Sequence, residues 1–364
     1  MRDDNGDLWW CSPSRLSRPF HVRYFLDSHN VEIFDAKSNK LFLKKSECPP
    51  AVAPKDFFLG AKVLLYGRHF ELTEYLDPFT AEKLGKQQQK SVLVVKGDAV
   101  DNAIGTVLDL LMRQHFSLSA LKMMQVSRAH AEKFLEFHRS AHDFPSLVEQ
   151  MSSRPVVAME LVAENCIEKL KQFAPTIASR VGAKSSEIES SPSVLEAQRY
   201  RDFFFETPHD ITARLQNCTC CVVLPHILKE GLAGEVIEAI QNGHEVSITA
   251  MELFNLDRTT AAEFLEVYEG VIPHFNESVD QFTTGPCIAL ELVGSHPENV
   301  VSKFRENAGP WDVEMAKELQ PHTIRARFGQ DRVRNAVHCT DLAEDGVLEC
   351  EYFFEILSKR QLRG

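Results

Sequence analysis

The chain has 364 residues, 44% hydrophobic and 25% charged, a composition expected of an ordinary soluble globular protein of two or three domains. Its formal net charge of −12 argues against general nucleic-acid binding. No apolar run approaches the roughly 18 residues of a membrane span, and the charged start Met1-Arg2-Asp3-Asp4 is not expected to be a secretory signal.

Residues 1–85 read as a small β-rich module. Short strand-like runs occur at Tyr24 with Leu26, Val31-Glu-Ile-Phe34, Leu41-Phe-Leu43 and Val63-Leu-Leu-Tyr66, with another beginning near Phe70 and Leu72. Asp27-Ser-His-Asn30, Lys37-Ser-Asn-Lys40 and Gly67 break them, the spacing of a small barrel or sandwich. Residues 1–90 carry a formal charge of +2 and the remainder −14, so the N-terminal region is the part suited to an acidic partner surface. Lys86-Gln-Gln-Gln-Lys90 reads as a linker.

Two later stretches run in parallel. Glu132-Lys-Phe-Leu-Glu136 matches Ala262-Glu-Phe-Leu-Glu266, and Arg154-Pro-Val-Val-Ala-Met-Glu-Leu-Val162 matches Gly285-Pro-Cys-Ile-Ala-Leu-Glu-Leu-Val293. The offsets, 130 and 131, are nearly constant, and with the opening runs Ser91-Val-Leu-Val-Val95 and Cys221-Val-Val223 the parallel extends over some seventy residues, so the chain holds a domain duplication rather than a solenoid repeat. Domain A is placed at 91–206 and domain B at 217–360. In each, a short β run precedes a helix such as the one with Ile104, Val107, Leu108 and Leu111 at helical spacing. A strand follows (Leu118 to Val126; Val246 to Phe254), then a helix opened by Ser127 or by Thr260-Ala-Ala-Glu263, which has capping-box form. An apolar strand closes the core. The predicted fold is α+β, with two tandem ferredoxin-like (split β-α-β) domains. A connector at roughly 192–217 includes a short helix, Val194 to Arg201.

Nine cysteines is an odd number, and the scatter favours reduced thiols. Cys218-x-x-Cys221 has no second pair at zinc-ligand spacing and opens an apolar run, so buried strand cysteines and no metal are expected.

The most informative stretch is Thr323-Ile-Arg-Ala-Arg-Phe-Gly329 followed by Asn335-Ala-Val-His-Cys-Thr-Asp341. Arg325, Arg327, Arg332 and Arg334 precede one histidine in an otherwise acidic domain. Guanidinium forks suit phosphate oxygens. A neutral imidazole is a nucleophile when a partner on its other nitrogen fixes the tautomer. Glu349, eleven residues beyond His338, is the candidate partner.

Asn335-x-x-His338-x-x-Asp341 after Thr323-Ile-Arg325 resembles the active-site signature of nucleoside diphosphate kinases. The likeness extends over roughly 20–358. Phe20 to Thr80 resembles the DM10 module, of pleckstrin-homology-like shape, found in proteins of ciliary axonemes. The resemblance implies ping-pong transfer of a γ-phosphate through His338, with Glu349 as its orienter and Asn335 at the ribose. It puts Arg305, Arg325 and Tyr268 near the phosphates, base stacking on His274-Phe275, and at Thr340 the hydroxyl of the family's serine. It further implies Mg²⁺ with the bound nucleotide if domain B is active, and otherwise no cofactor.

Departures weigh against full activity. Leu224-Pro225-His226 stands where the family has Lys-Pro-Asp, Trp311 where it has a threonine, and Cys339 where it has a glycine, a change expected to strain the backbone if that position needs positive φ. Domain A keeps Lys96 but has no histidine in Gly182-Ala-Lys-Ser-Ser-Glu-Ile-Glu-Ser-Ser191 and lacks room for the full nucleotide loop. The resemblance therefore implies a ciliary or flagellar axonemal component, with tubulin of the doublet microtubule and other axonemal proteins as partners. Nucleoside di- or triphosphate is a further expected ligand, and a slow kinase acting through His338 is the alternative.

Overall fold

The computed structural model describes residues 8–12, 19–50, 52–57, 61–72, 74–77, 80, 89–140, 142–243, 246–294 and 300–363. These fall into two compact units, one reaching to Lys90 and one holding nearly all of the rest.

The first unit is built from β1 (Leu8–Ser12), β2 (Phe20–Phe25), β3 (Asn30–Asp35), β4 (Leu41–Glu47), β5 (Lys62–Leu65), β6 (Arg68–Glu71) and β7 (Glu74–Tyr75). A five-stranded sheet has the order β4-β3-β2-β1-β7, and β5 and β6 form a separate hairpin. Alternate residues Val22, Tyr24, Val31 and Ile33 point into a core with Phe57, Val63 and Leu65. The hairpin turns on Tyr66 and Gly67, both at positive φ (50° and 77°), the backbone a two-residue turn demands. Strand β1 was not legible in the sequence and lengthens the sheet by one member.

The second unit contains both copies. Domain A comprises β8 (Gln89–Val95), α1 (Asp98–Arg113), β9 (Ser117–Met124), α2 (Arg128–Phe134), α3 (Phe144–Ser152), β10 (Val156–Ala163), α4 (Cys166–Val181), β11 (Ile188–Ser190) and α5 (Val194–Arg201). Domain B opens with β12 (Cys218–Val223), α6 (Pro225–Lys229), α7 (Ala233–Gln241), β13 (Val246–Phe254), α8 (Arg258–Phe264) and α9 (Phe275–Phe282). It continues through β14 (Cys287–Gly294), α10 (Val300–Ala308), α11 (Val313–Leu319), α12 (Ile324–Phe328), β15 (Val337–Cys339), α13 (Asp345–Glu351) and α14 (Ser358–Arg363).

All eight strands of the pair form one sheet, β11-β8-β10-β9-β13-β14-β12-β15. Each half has the ferredoxin-like order, and the halves join antiparallel through β9 and β13. Strand β10 is buried along its whole length, as its apolar run, broken only by the buried Glu160, requires of a central strand. The helix α1 buries Ile104, Val107, Leu108 and Leu111, the stripe read from the sequence, and Val100 with them.

Three local expectations change. Gln89 and Lys90 belong to β8 rather than to a linker; residues 86–88 lie outside the described residues. The cap expected at Thr260 lies three residues earlier, at Asp257, whose carboxylate accepts from Thr260 N at 2.8 Å, while the Thr260 hydroxyl accepts from Asp257 N. The helix read inside a connector is packed structure: its Tyr200, with Phe204 in the helical turn that follows, enters the core of domain A.

Candidate functional site

In domain B, β15 pairs with β12 so that His338 lies opposite Val222, on a strand buried throughout. The ring is 2% exposed. Its Nε2 is 3.0 Å from Glu349 Oε2 on α13. A carboxylate oxygen accepts, so Nε2 is the donor, and in the neutral ring the lone pair is then on Nδ1. That Nδ1 has no hydrogen-bond partner among the described residues. The Thr340 hydroxyl donates to the same Glu349 oxygen at 2.8 Å and accepts from Cys220 N at 2.9 Å, tying the dyad to the strand beside it. Phe264 and Tyr268 face the imidazole edge-on, with centroids at 4.9 and 6.0 Å. Burial first, then the Glu349 and Asp341 charges, push the Tyr268 phenol well above its usual range, so it stays protonated.

Arg325, Arg305, Arg332 and Arg334 hold partners within the domain, while Arg327 lies exposed over the Phe328 ring. Arg325 is 4% exposed; it donates to the carbonyls of Gly309 (2.9 Å) and Val337 (3.1 Å) and sits 5.2 Å over the Trp311 ring. Arg305 reaches the Asp341 carbonyl at 2.9 Å and its carboxylate at 3.3 Å. Arg332 pairs with Asp312, and Arg334 with Asp331 at 2.6 Å. Asn335 is buried beside the strand. His274 lies exposed at the start of α9, its Nδ1 3.9 Å from Glu277, and Phe275 packs against the domain core. The structure therefore brings together His338, Glu349, Thr340 and Tyr268, and leaves His274 apart from them. Leu224, directly after Val223, is 3% exposed within the core. Cys339 lies in regular strand; the positive φ falls instead on Ala336 (75°), two residues before the histidine.

The equivalent site in domain A was hidden from the sequence. Strand β11 pairs with β8 so that Glu189 lies opposite Val94, the place His338 holds opposite Val222. Tyr200, eleven residues on, donates to Glu189 as Glu349 engages His338 from the same spacing. Ser191 bonds Val92 N (3.1 Å) as Thr340 bonds Cys220 N. Lys96, directly after β8, is 4% exposed and donates to Glu189 at 2.7 Å. Burial alone would raise the Glu189 carboxyl; the Lys96 ammonium, with donation from Lys96 and Tyr200, more than offsets that and holds it below the usual range. A cavity of about 370 Å³ opens here, lined by Lys96, Glu189, His138 and Lys171 among others. The shared eleven-residue spacing was the available signal.

Cys218, Cys220 and Cys221 are buried in β12, without disulfides. Cys218, Cys350 and Glu291 converge within 4.8 Å, but the Glu291 oxygens already accept from Arg214 N and Leu215 N (2.7 Å each) and from the Thr249 hydroxyl.

With this geometry in hand, the nucleoside diphosphate kinase family model matches residues 89–205 and 217–357, more than half of the chain. The chain belongs to the nucleoside diphosphate kinase family. It is similar to nucleoside diphosphate kinase homolog 7 of Rattus norvegicus, 35% identical over 96% of this chain and 92% of the rat protein. The Mus musculus homolog 7 is 34% identical over the same shares. A crystal structure of the Aquifex aeolicus kinase matches 39% of this chain and 96% of its own, at 32% identity and a TM-score of 0.35. As a member of this family, the chain carries the kinase fold twice, yet neither copy has both the histidine and the strand-end lysine.

Proposed function

We propose that the chain is a structural component of ciliary or flagellar axonemal doublet microtubules, in which the kinase-like pair acts as a scaffold. The carrying observation is how the family's chemistry is divided. Domain B has the His338–Glu349 dyad but Leu224 in place of the lysine, while domain A has Lys96 but spends it on Glu189. Losing one preorganised charge stabiliser costs on the order of 10²–10³ in rate. The axonemal assignment, with tubulin and other axonemal proteins as partners, rests on the resemblance of Phe20 to Thr80 to the DM10 module. Tagged chain should sediment with purified axonemes and resist extraction at high salt. Full release at low salt would sink the reading.

A second reading, slow phosphotransfer from Mg²⁺-bound nucleoside triphosphate, is favoured by one feature: the unpartnered Nδ1 of a histidine held at Nε2. Its test is acid-labile, alkali-stable label from γ-labelled ATP that disappears in His338→Ala.

A further inference from the structure

Domains A and B meet at β9 and β13, where Lys122 is in register with Glu252. Their side chains form an ion pair at 2.9 Å, with only 12% and 8% of each exposed. The Ser358 hydroxyl accepts from Lys122 at 2.9 Å and donates to Glu252 at 3.2 Å.

Lys122 and Glu252 are the same position of the repeat, since their spacing of 130 is that of Glu136 and Glu266. Equivalent residues facing each other mark a local two-fold axis, as in an isologous dimer. The helices obey the same axis. A Cβ on Gly105 of α1 would lie 2.3 Å from Glu238 N, and one on Gly234 of α7 would lie 2.1 Å from Asp109 N. Both glycines are needed for the backbones to approach this closely, and each face offers one. Backbone shape is therefore matched between the two domains and does not select an A–B pair over A–A or B–B.

Charge does select. An A–A pair would set Lys122 against Lys122, and a B–B pair Glu252 against Glu252, where little solvent reaches to screen them. The flanking contacts run one way too. The Gln241 side chain of domain B accepts from Gly105 N at 2.9 Å, and Glu235 pairs with Arg113 of domain A at 3.1 Å.

We propose that Lys122 and Glu252 form a selectivity device: this face of domain A accepts only the matching face of domain B, so each chain closes its own pair and does not offer this edge to a second copy. Repulsion against the wrong partner, more than attraction to the right one, gives such a device its discrimination.

The test uses the full chain. Lys122→Glu recreates the axis of a B–B pair, and Glu252→Lys that of an A–A pair. Each single variant should melt roughly 5–10 °C below wild type, and the Lys122→Glu/Glu252→Lys exchange should recover most of that loss. If a single variant fails to fold, the exchange still carries the comparison. Differently tagged Lys122→Glu and Glu252→Lys chains, co-expressed, find opposite charges only across chains and should co-purify where two wild-type chains do not. Single variants that melt with wild type, an exchange that is not rescued, or complementary chains that co-purify no better than wild type would overturn the proposal.

Discussion

Replacing Leu224 by lysine should raise phosphorylation of His338. Leu224 follows Val223 as Lys96 follows Val95, and in domain A that lysine reaches 2.7 Å from the residue standing in the histidine's place. A lysine at 224 would thus project toward the His338–Glu349 dyad. The expected gain is on the order of 10²-fold in the initial labelling rate, the usual weight of one preorganised cation. The substitution forfeits the burial of a leucine, about 1.5–3 kcal/mol, and adds desolvation of an ammonium, offset in part by Glu349, whose side chain is 11% exposed. Net destabilisation of about 2–4 kcal/mol is expected, with bound nucleotide restoring part of it. The assay compares acid-labile label from γ-labelled ATP in wild type, Leu224→Lys, Leu224→Met and Leu224→Lys/His338→Ala. A folded Leu224→Lys chain that labels at the wild-type rate would refute the reasoning, as would label that survives loss of His338.

Glu189→Gln should destabilise domain A by about 1–3 kcal/mol, below the value for a fully buried pair because 32% of the Glu189 side chain is exposed. Since the folded carboxyl is held below its unfolded value, the wild-type contribution is present above roughly pH 4.5 and fades as pH falls through the folded value, so wild type and variant should converge in acid denaturant titrations. His226 behaves in the opposite sense of charge. Burial, then Arg334, push its pKa down to about 4, so the unfolded chain binds this proton first and stability falls as pH drops from about 6.5 toward 4, by on the order of 3 kcal/mol. His226→Gln should flatten urea-melt stability across that window; an unchanged slope would refute it. Gly309→Ala should lose at least about 2 kcal/mol by thermal melting, because φ is 86° there and the new Cβ would sit 2.3 Å from Thr323 Oγ1.

Much of this architecture was legible in the sequence, because hydrophobic period and repeat offset are local properties of the chain. The ferredoxin-like pair and the core stripe of α1 follow from such patterns, whereas Glu349 as the partner of His338 was what the family resemblance implied. Domain A's site was not legible. Its shorter loop moves the offset from 130 to 149 residues between Glu189 and His338, so a search at constant spacing ends before reaching it. Only strand register shows that Glu189 replaces the histidine and Tyr200 the glutamate. The partners of the arginine cluster were not legible for another reason. Motif spacing records which cations are present, whereas Asp312, Asp331, Asp341 and the carbonyls of Gly309 and Val337 decide which remain available. Strain likewise moved from Cys339 to Ala336, because the strand holding His338 extends through Cys339 and the chain makes its turn before entering it.

The facing Lys122 and Glu252 have a consequence for how such a chain diverges. Two separate but identical polypeptides that associate across a two-fold inherit every change twice. At the axis, a new residue meets its own copy, so opposite charges are unattainable there. Joining the copies in one polypeptide lifts that restriction, and each half can then drift under its own selection while the other supplies what it lacks. His338 on β15 and Glu189 on β11, different residues at matching places, stand at the two ends of that single sheet.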